Sequence, residues 1–460
     1  MMELKGKKVL VVGLGKSGLA AALFLRRRGA LVTVSDVRSA EALAKDITAL
    51  LDEGIMVETG GHGLLTFRRQ DLIVVSPGVP LNTPELAQVK SFGLPVIGEL
   101  ELAARFLKGK MLAITGSNGK TTTTALVGEI LEKAGIPTLV GGNIGVPVVA
   151  LIEQSTDETW SVLEVSSFQL ESTVQFRPSI AVILNITPDH LDRHGSFENY
   201  ALAKERIFAA QHEDDFVVLN ADNARAAQAA ARSVARVYFF SMEHSVLRGA
   251  WVEEGTIVFR TGKDEPIEKI MPLSGITLKG AHNVENVLAA VCAARLAGAT
   301  AEQVRAGVEG FQAVEHRLEY VTTINGVEFY NDSKATNVDA TAKAIAAFQT
   351  GIHLILGGKD KGSDYTQLSP LLRSRVRAVY TIGAAAAKIE SHLRGVVSIL
   401  SCETLDNAVD AAGSAARPGE VVLLAPACSS FDQFENYEQR GKVFKELVNE
   451  RRGWKEWQHA

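Results

Sequence analysis

Met111-Leu112-Ala113-Ile114-Thr115-Gly116-Ser117-Asn118-Gly119-Lys120-Thr121-Thr122 passes from an apolar strand through a glycine-rich turn into a helix. The helical pattern runs on through Lys133, before Gly135 and Pro137 stop it. A strand that feeds a helix in this way is a building unit of a parallel α/β sheet. It also gathers backbone amides and the positive end of a helix dipole at one point. Gly116, Ser117, Asn118 and Gly119 form a backbone cradle, and Thr122 continues it into the helix. Lys120 is placed for the β- and γ-phosphates of a nucleotide, and Thr121 offers a hydroxyl to a magnesium ion. A purely structural turn needs neither group. The spacing Gly-x-x-Gly-Lys-Thr is shorter than the usual Gly-x-x-x-x-Gly-Lys-Thr, so the loop is a variant.

Upstream, residues 7–36 read as strand, turn, helix, strand around Gly13-Leu14-Gly15-Lys16-Ser17-Gly18, with Asp36 closing the second strand. This is the setting of a dinucleotide fingerprint, and physically it is a phosphate-binding turn. It does not separate NAD from another diphosphate such as a UDP-sugar, and a plain glycine turn in a sheet is the simpler alternative. The run 72–75 ends at Ser76-Pro77-Gly78, and a first α/β domain is expected to close near Gly98.

Downstream, strands at 160–164, 180–184 and 216–219 alternate with helical stretches, which favours a largely parallel sheet. Glu164 ends an apolar strand where a carboxylate can reach a metal held by the phosphate loop. Residues 185–194 place His190 in a polar turn that on composition alone is a solvated loop. Lys204 is expected on the wet face of a helix, and its ammonium cannot ligate a metal unless converted to an oxygen-bearing derivative such as a carbamate. Beyond about Val314 the alternation resumes. Three polar segments follow strands there: Asn331-Asp332-Ser333-Lys334-Ala335-Thr336-Asn337, Gly357-Gly358-Lys359-Asp360-Lys361-Gly362, and Ala425-Pro426-Ala427-Cys428-Ser429-Ser430-Phe431-Asp432-Gln433-Phe434. With Arg317 they look like one convergent site for a charged substrate.

The bulk properties narrow the class. A chain of 460 residues is too long for one core and fits about three domains. Its 46% hydrophobic and 22% charged residues, net charge of −5 and interspersed signs point away from a nucleic-acid partner and from disorder. No apolar run reaches the roughly 18 residues of a membrane span, and the first residues lack the pattern of a signal peptide. Cys292, Cys402 and Cys428 lack the spacing of a disulfide framework or a zinc site. A cytoplasmic enzyme acting as a monomer is the expected reading.

The shortened phosphate loop, Glu164-Val165-Ser166-Ser167 and the turn from Thr187 to His190 resemble the Mur ligase superfamily, over essentially the whole chain. Residues 331–337 and Ser429-Ser430-Phe431-Asp432-Gln433-Phe434 are similar to its D-glutamate-adding branch, while the Asp-Asn-Pro-Arg signature of the diaminopimelate- or lysine-adding members is absent. The resemblance implies an α/β fold of three domains: a Rossmann-like UDP-binding domain at 1–98, a P-loop ATPase-like central domain with a mostly parallel sheet at 99–313, and a Rossmann-like amino-acid-binding domain at 314–460. It implies ATP and two Mg²⁺ ions as cofactors, with UDP-N-acetylmuramoyl-L-alanine and D-glutamate as substrates joined through an acyl phosphate. Lys120 and its loop would bind ATP, Thr121 and Glu164 would hold one metal, and His190 with a carbamylated Lys204 the other. Asn283, Arg317 and Asp332 would contact the nucleotide. Lys334, Lys361, Ser430 and Phe431 would meet D-glutamate, and Ser17, Asp36, Arg38, Ser76, Gly78 and Asn143 the UDP-linked substrate. Lys16 and Phe431 depart from the residues frequent at their positions. The rivals are an NAD oxidoreductase, which leaves Lys120 without work, a P-loop switch, which leaves the later polar segments unexplained, and a folylpolyglutamate-type or other Mur-type ligase.

Overall fold

In the computed structural model, which describes residues 2–278, 280–311 and 315–458 with side chains as far as Arg451, the apolar runs become strands of three sheets. The boundary expected between residues 313 and 314 lies outside the described residues. Two units contain the sheets. Met1–Ile186, Ser196–Gly275 and Glu285–Gly310 make the first; Thr187–Gly195, Ile276–Val284 and Phe311–Ala460 make the second.

The first unit opens with β1 (Lys8–Val12), β2 (Leu31–Asp36), β3 (Met56–Thr59), β4 (Leu72–Val75) and β5 (Val96–Gly98), all parallel in the order β3-β2-β1-β4-β5. Val9 and Val11 join a core with Phe24, Leu25 and Leu50 on one face, and Leu10 and Val12 join Phe67, Leu86 and Val89 on the other. A strand buried on both faces shows a continuous apolar run, which is why β1 has no alternation to read.

The second sheet of this unit holds β6 (Lys110–Thr115), β7 (Thr138–Gly142), β8 (Trp160–Glu164), β9 (Ile180–Ile183), β10 (Phe216–Asn220), β11 (Arg236–Ser241), β12 (Gly249–Glu253), β13 (Thr256–Arg260) and β14 (Glu268–Pro272). Their order is β14-β13-β12-β11-β10-β9-β6-β8-β7. Strands β6 to β12 pair in parallel, whereas β12, β13 and β14 form an antiparallel extension turned at Glu254-Gly255. The sequence reading did not mark this extension. Its strands are short and irregular in register, with a bulge between Ile257 and Val258, so the two-residue period is broken there.

The second unit carries β15 (Glu319–Ile324), β16 (Val327–Asn331), β17 (Ile352–Gly357), β18 (Val376–Ile382), β19 (Ser398–Glu403) and β20 (Val421–Leu424), in the order β15-β16-β20-β17-β18-β19. All pairs are parallel except β15 with β16. Leu354 and Leu356 face one core and Ile355 the other, where Phe444 and Val448 of the helix Tyr437–Gln458 cover the sheet. The three later polar segments leave β16, β17 and β20, which are neighbours, so strand order alone puts them side by side. Among the described residues no helix is long and apolar enough to cross a membrane.

Candidate active site

The phosphate loop joins β6 to the helix Lys120–Lys133, and β6 lies between β8 and β9. Each neighbour contributes its end to the loop. From β9, the Asn185 carbonyl accepts from Ser117 N at 2.9 Å, its Oδ1 accepts from Asn118 N at 2.9 Å, and its Nδ2 donates to the Asn118 carbonyl at 3.1 Å. From β8, Glu164 accepts from Thr121 Oγ1 at 2.7 Å and from Asn143 Nδ2 at 3.0 Å. Gly119 has φ 87°, and a Cβ there would run into Asn286 Oδ1. Glycine is therefore required for both conformation and space.

Two lysines converge on one carbonyl. Lys120 Nζ donates to the Gly116 and Ser117 carbonyls at 2.9 Å each, and Lys204 Nζ donates to the Gly116 carbonyl at 2.8 Å. Lys204, expected to face water, is instead 2% exposed on the helix Phe197–Glu205, with its ammonium 4.6 Å from the Tyr200 ring centre. The expectation fails because hydrogen bonding and cation–π contact replace the hydration that a lysine otherwise needs. The Tyr200 hydroxyl lies 3.0 Å from Ser117 Oγ, so this helix braces the loop as well. Thr122 is buried, and its hydroxyl has no hydrogen-bond partner among the described residues.

The Thr121–Glu164 corner fits a magnesium ion. A buried hydroxyl and a carboxylate 1% exposed offer hard oxygen donors, and among the described residues no cationic side chain pairs with Glu164. Asn143, expected at the UDP-linked substrate, has its side-chain amide on Glu164 and its backbone N–H on the Glu164 carbonyl.

In the first sheet the glycine turn sits at the switch point between β1, β2 and β4. A Cβ on Gly18 would collide with the Gly13 carbonyl oxygen, to which Ser76 Oγ donates at 2.7 Å. Asp36 accepts from Leu14 N at 2.6 Å and from Arg38 N, Nε and NH2 at 2.9, 3.0 and 2.9 Å. Burial pushes its carboxyl upward, but the bonds from Arg38 and Leu14 outweigh this and hold it at about 2. Both oxygens thus accept from the turn and from Arg38. Ser17 is half-buried at the start of the helix Lys16–Arg27, and Gly78 is exposed past β4.

In the second unit, burial raises the Asp332 carboxyl to about 6 against the opposing charges of Arg317 and Lys334. Arg317 Nε is buried without a hydrogen-bond partner among the described residues. Asn283 is buried, its N–H on the Gly280 carbonyl. His190 adopts φ 52° with its N–H on Asp189 Oδ1 at 2.9 Å, and Asp189 also meets Asn337 Nδ2 at 3.1 Å and Lys361 Nζ at 3.6 Å. Lys334 Nζ donates to the Tyr437 hydroxyl at 3.1 Å. Ser430 is buried, whereas Phe431 is 67% exposed.

Sequence reasoning missed Asn185, Tyr200, Asp189 and Arg440. Arg440 is fully buried and donates to Ser333 Oγ at 3.0 Å and to the carbonyls of Ser333, Cys428 and Ser429 at 2.8, 3.1 and 3.4 Å. It ties the segment after β16 to the segment after β20. In a stretch reading Glu438-Gln439-Arg440 it looks like any charged helix face.

Family comparisons follow the three sheets. A Mur ligase MurD-like N-terminal domain matches residues 7–98, a Mur ligase middle domain residues 114–294, and a Mur ligase glutamate ligase domain residues 316–428. The UDP-N-acetylmuramoylalanine--D-glutamate ligase of Acidobacterium capsulatum is 72% identical over 459 residues, 100% of either chain. The protein of the same name from Koribacter versatilis is 60% identical over 97% of this chain and 98% of its own. Among solved structures, MurF ligase from Thermotoga maritima in complex with ADP shares the fold, with a TM-score of 0.60 and 18% identity over 98% of this chain and 96% of that one. Three successive domain matches and full-length identity of this degree establish that the chain belongs to the Mur ligase family.

Proposed function

We propose that the chain joins the carboxylate of UDP-N-acetylmuramoylalanine to the amine of D-glutamate, with cleavage of ATP to ADP and phosphate, in the making of peptidoglycan precursors. The observation that carries this reading is the 72% identity, along the whole chain, with a ligase of that name. In the reaction a carboxylate oxygen attacks the γ-phosphorus and ADP leaves. The amine then attacks the carbonyl of the acyl phosphate, phosphate departs, and the nitrogen gives up a proton. Lys120 and the loop amides would hold the β- and γ-phosphates and offset their charge as the bond breaks. Mg²⁺ held by Thr121 and Glu164 would withdraw charge from the transferring phosphoryl group.

The remaining roles are proposed on the family pattern. Lys204 as a carbamate would turn a buried donor into an oxygen ligand, and His190 is proposed as a metal ligand. Asn283, Arg317 and Asp332 would meet the nucleotide; Lys334, Lys361, Ser430 and Phe431 would meet D-glutamate; Ser17, Asp36, Arg38, Ser76, Gly78 and Asn143 would meet the UDP-linked substrate. The corresponding modules are 1–98, 99–313 and 314–460. Action in the cytoplasm accords with three buried free cysteines.

The test supplies UDP-N-acetylmuramoyl-L-alanine, ATP and Mg²⁺ with one amino acid at a time and measures phosphate release. D-glutamate should give the fastest release. Release no greater than with L-alanine, L-glutamate or meso-diaminopimelate would sink the assignment.

A further inference from the structure

Lys361 and Ser430 lie on the segments that leave β17 and β20, and beyond the bond from Gly357 N to the Pro426 carbonyl at 2.9 Å two ties join these segments. The nearer is backbone: Lys359 N donates to the Ser429 carbonyl at 2.8 Å, and Ser429 N and Oγ donate back to the Lys359 carbonyl at 3.2 and 3.0 Å. The farther is a chain of side chains. The hydroxyl of the fully buried Tyr365 donates to Asp360 Oδ1 at 2.8 Å and lies 3.0 Å from Cys428 Sγ. Lys388 Nζ donates to Asp360 Oδ2 at 2.7 Å, and Ser363 N donates to Oδ1 at 3.1 Å.

The bond to Asp360 fixes where the phenol proton sits, because a carboxylate only accepts. Burial pushes the Cys428 thiol up to about 11, so it keeps its proton and donates to the Tyr365 oxygen. Burial, with Cys428 and Asp360 as neighbours, also raises the phenol, which keeps its proton for Asp360. At Asp360 burial pushes upward, but Lys388, Tyr365 and Ser363 together hold the carboxyl at about 2. Thiol, phenol, carboxylate and ammonium therefore form one chain of a single polarity, anchored by a charge at the far end. Asp360 immediately precedes Lys361, and Cys428 is two residues before Ser430.

We propose that Asp360, Tyr365 and Lys388 are positioning residues: they form a clasp that sets the distance between Lys361 and Ser430, and with it the affinity for the incoming amino acid. The inference rests on the proposed D-glutamate site. The backbone tie fixes Ser429 to Lys359 and does not itself reach Lys361, two residues on, whose ammonium pairs with Asp189 Oδ1 at 3.6 Å. The clasp adds a hold on the residue next to Lys361, by fixing Asp360 through its side chain.

The test is steady-state kinetics on the full chain, varying D-glutamate, ATP and the UDP-linked substrate in turn, for Tyr365→Phe, Asp360→Asn, Lys388→Gln and Lys361→Ala. Tyr365→Phe keeps the ring that fills the core and removes only the hydroxyl. Its KM for D-glutamate should rise about tenfold, while kcat and the other two KM values stay within about twofold of the parent. Asp360→Asn should do the same, and Lys388→Gln, at the partly exposed end of the chain, should give a smaller rise of about threefold. The last variant reports even where the buried changes impair folding. A D-glutamate KM unchanged in all three clasp variants overturns the inference, as does an equal rise in all three KM values, which would mean general loosening. Should Lys361→Ala itself leave the D-glutamate KM unchanged, the site assignment fails; should it raise that KM while the clasp variants do not, the clasp alone fails.

Discussion

Replacing Asn185 by alanine tests how the phosphate loop gets its shape. The side chain makes two hydrogen bonds, Oδ1 from Asn118 N at 2.9 Å and Nδ2 to the Asn118 carbonyl at 3.1 Å, in a buried setting. Alanine removes both but retains the backbone bond from Ser117 N to residue 185. At about 1 kcal/mol for each buried bond, the native loop loses about 2 kcal/mol of support. If that support is what holds the loop amides toward the phosphates, nucleotide binding must supply it, and about 2 kcal/mol corresponds to about thirtyfold in affinity. Titration calorimetry with ADP and the KM for ATP should both show a weakening of this order. Asn185→Asp should be worse than alanine: it keeps one acceptor, cannot donate to Asn118, and sets a negative charge beside the phosphates. A variant Asn185→Ala that binds ADP within twofold of the parent would falsify the reasoning, since the loop's shape would then be set without the side chain, by the backbone bond to residue 185 and the bonds from Tyr200, Lys120 and Lys204.

Lys120→Ala should abolish phosphate release with all substrates present, because the charge facing the transferring group is lost; near-normal turnover sinks the role. Lys204→Ala should also be inactive and regain part of its activity with added formate or acetate, as expected if a carbamate oxygen is what is missing; full activity without additives refutes the modification. Burial raises the Glu99 carboxyl to about 7, against the opposing bond from Val149 N, from an ordinary value of 4.5. The folded chain therefore holds a proton there that the unfolded chain has released, and stability falls as pH rises from about 4.5 to about 7, then levels. The loss is on the order of 3 kcal/mol. Glu99→Gln keeps the acceptor for Val149 N and should remove that fall, so the difference in urea midpoint between variant and parent should grow from pH 5 to pH 8; parallel profiles contradict it.

What the sequence made legible was what periodicity and turn chemistry record. The strand at 160–164 was located to the residue, and the helix after the phosphate loop ends at Lys133 as Gly135 and Pro137 imply. These follow from local burial and local backbone rules. The extension β12 to β14 was not legible, because its bulge interrupts the alternation that would announce it. Nor was the burial of Lys204, whose partner Gly116 is 88 residues away, or that of Arg440, 107 residues from Ser333. A buried cation bonded to distant carbonyls leaves no mark on its own neighbourhood, and its sequence context is that of a solvated helix face.

Strand order is the remaining unknown that sequence withholds, and it decides which polar ends cooperate. In the second sheet β6 lies between β8 and β9, so the phosphate loop receives Glu164 from one side and Asn185 from the other. In the third sheet β20 lies between β16 and β17, and Arg440 and the Tyr365 clasp bind its segment to each neighbour. In the first, β1 lies between β2 and β4, and the glycine turn is held by Asp36 and Ser76. The same rule accounts for where the Asn143 side chain lies. It follows β7, whose last residue Gly142 is registered with Glu164 of β8, so the amide next along the chain falls on that carboxylate. Asn143 therefore donates to a Glu164 oxygen from the edge of the central sheet, and its proposed contact with the UDP-linked substrate would be made from there.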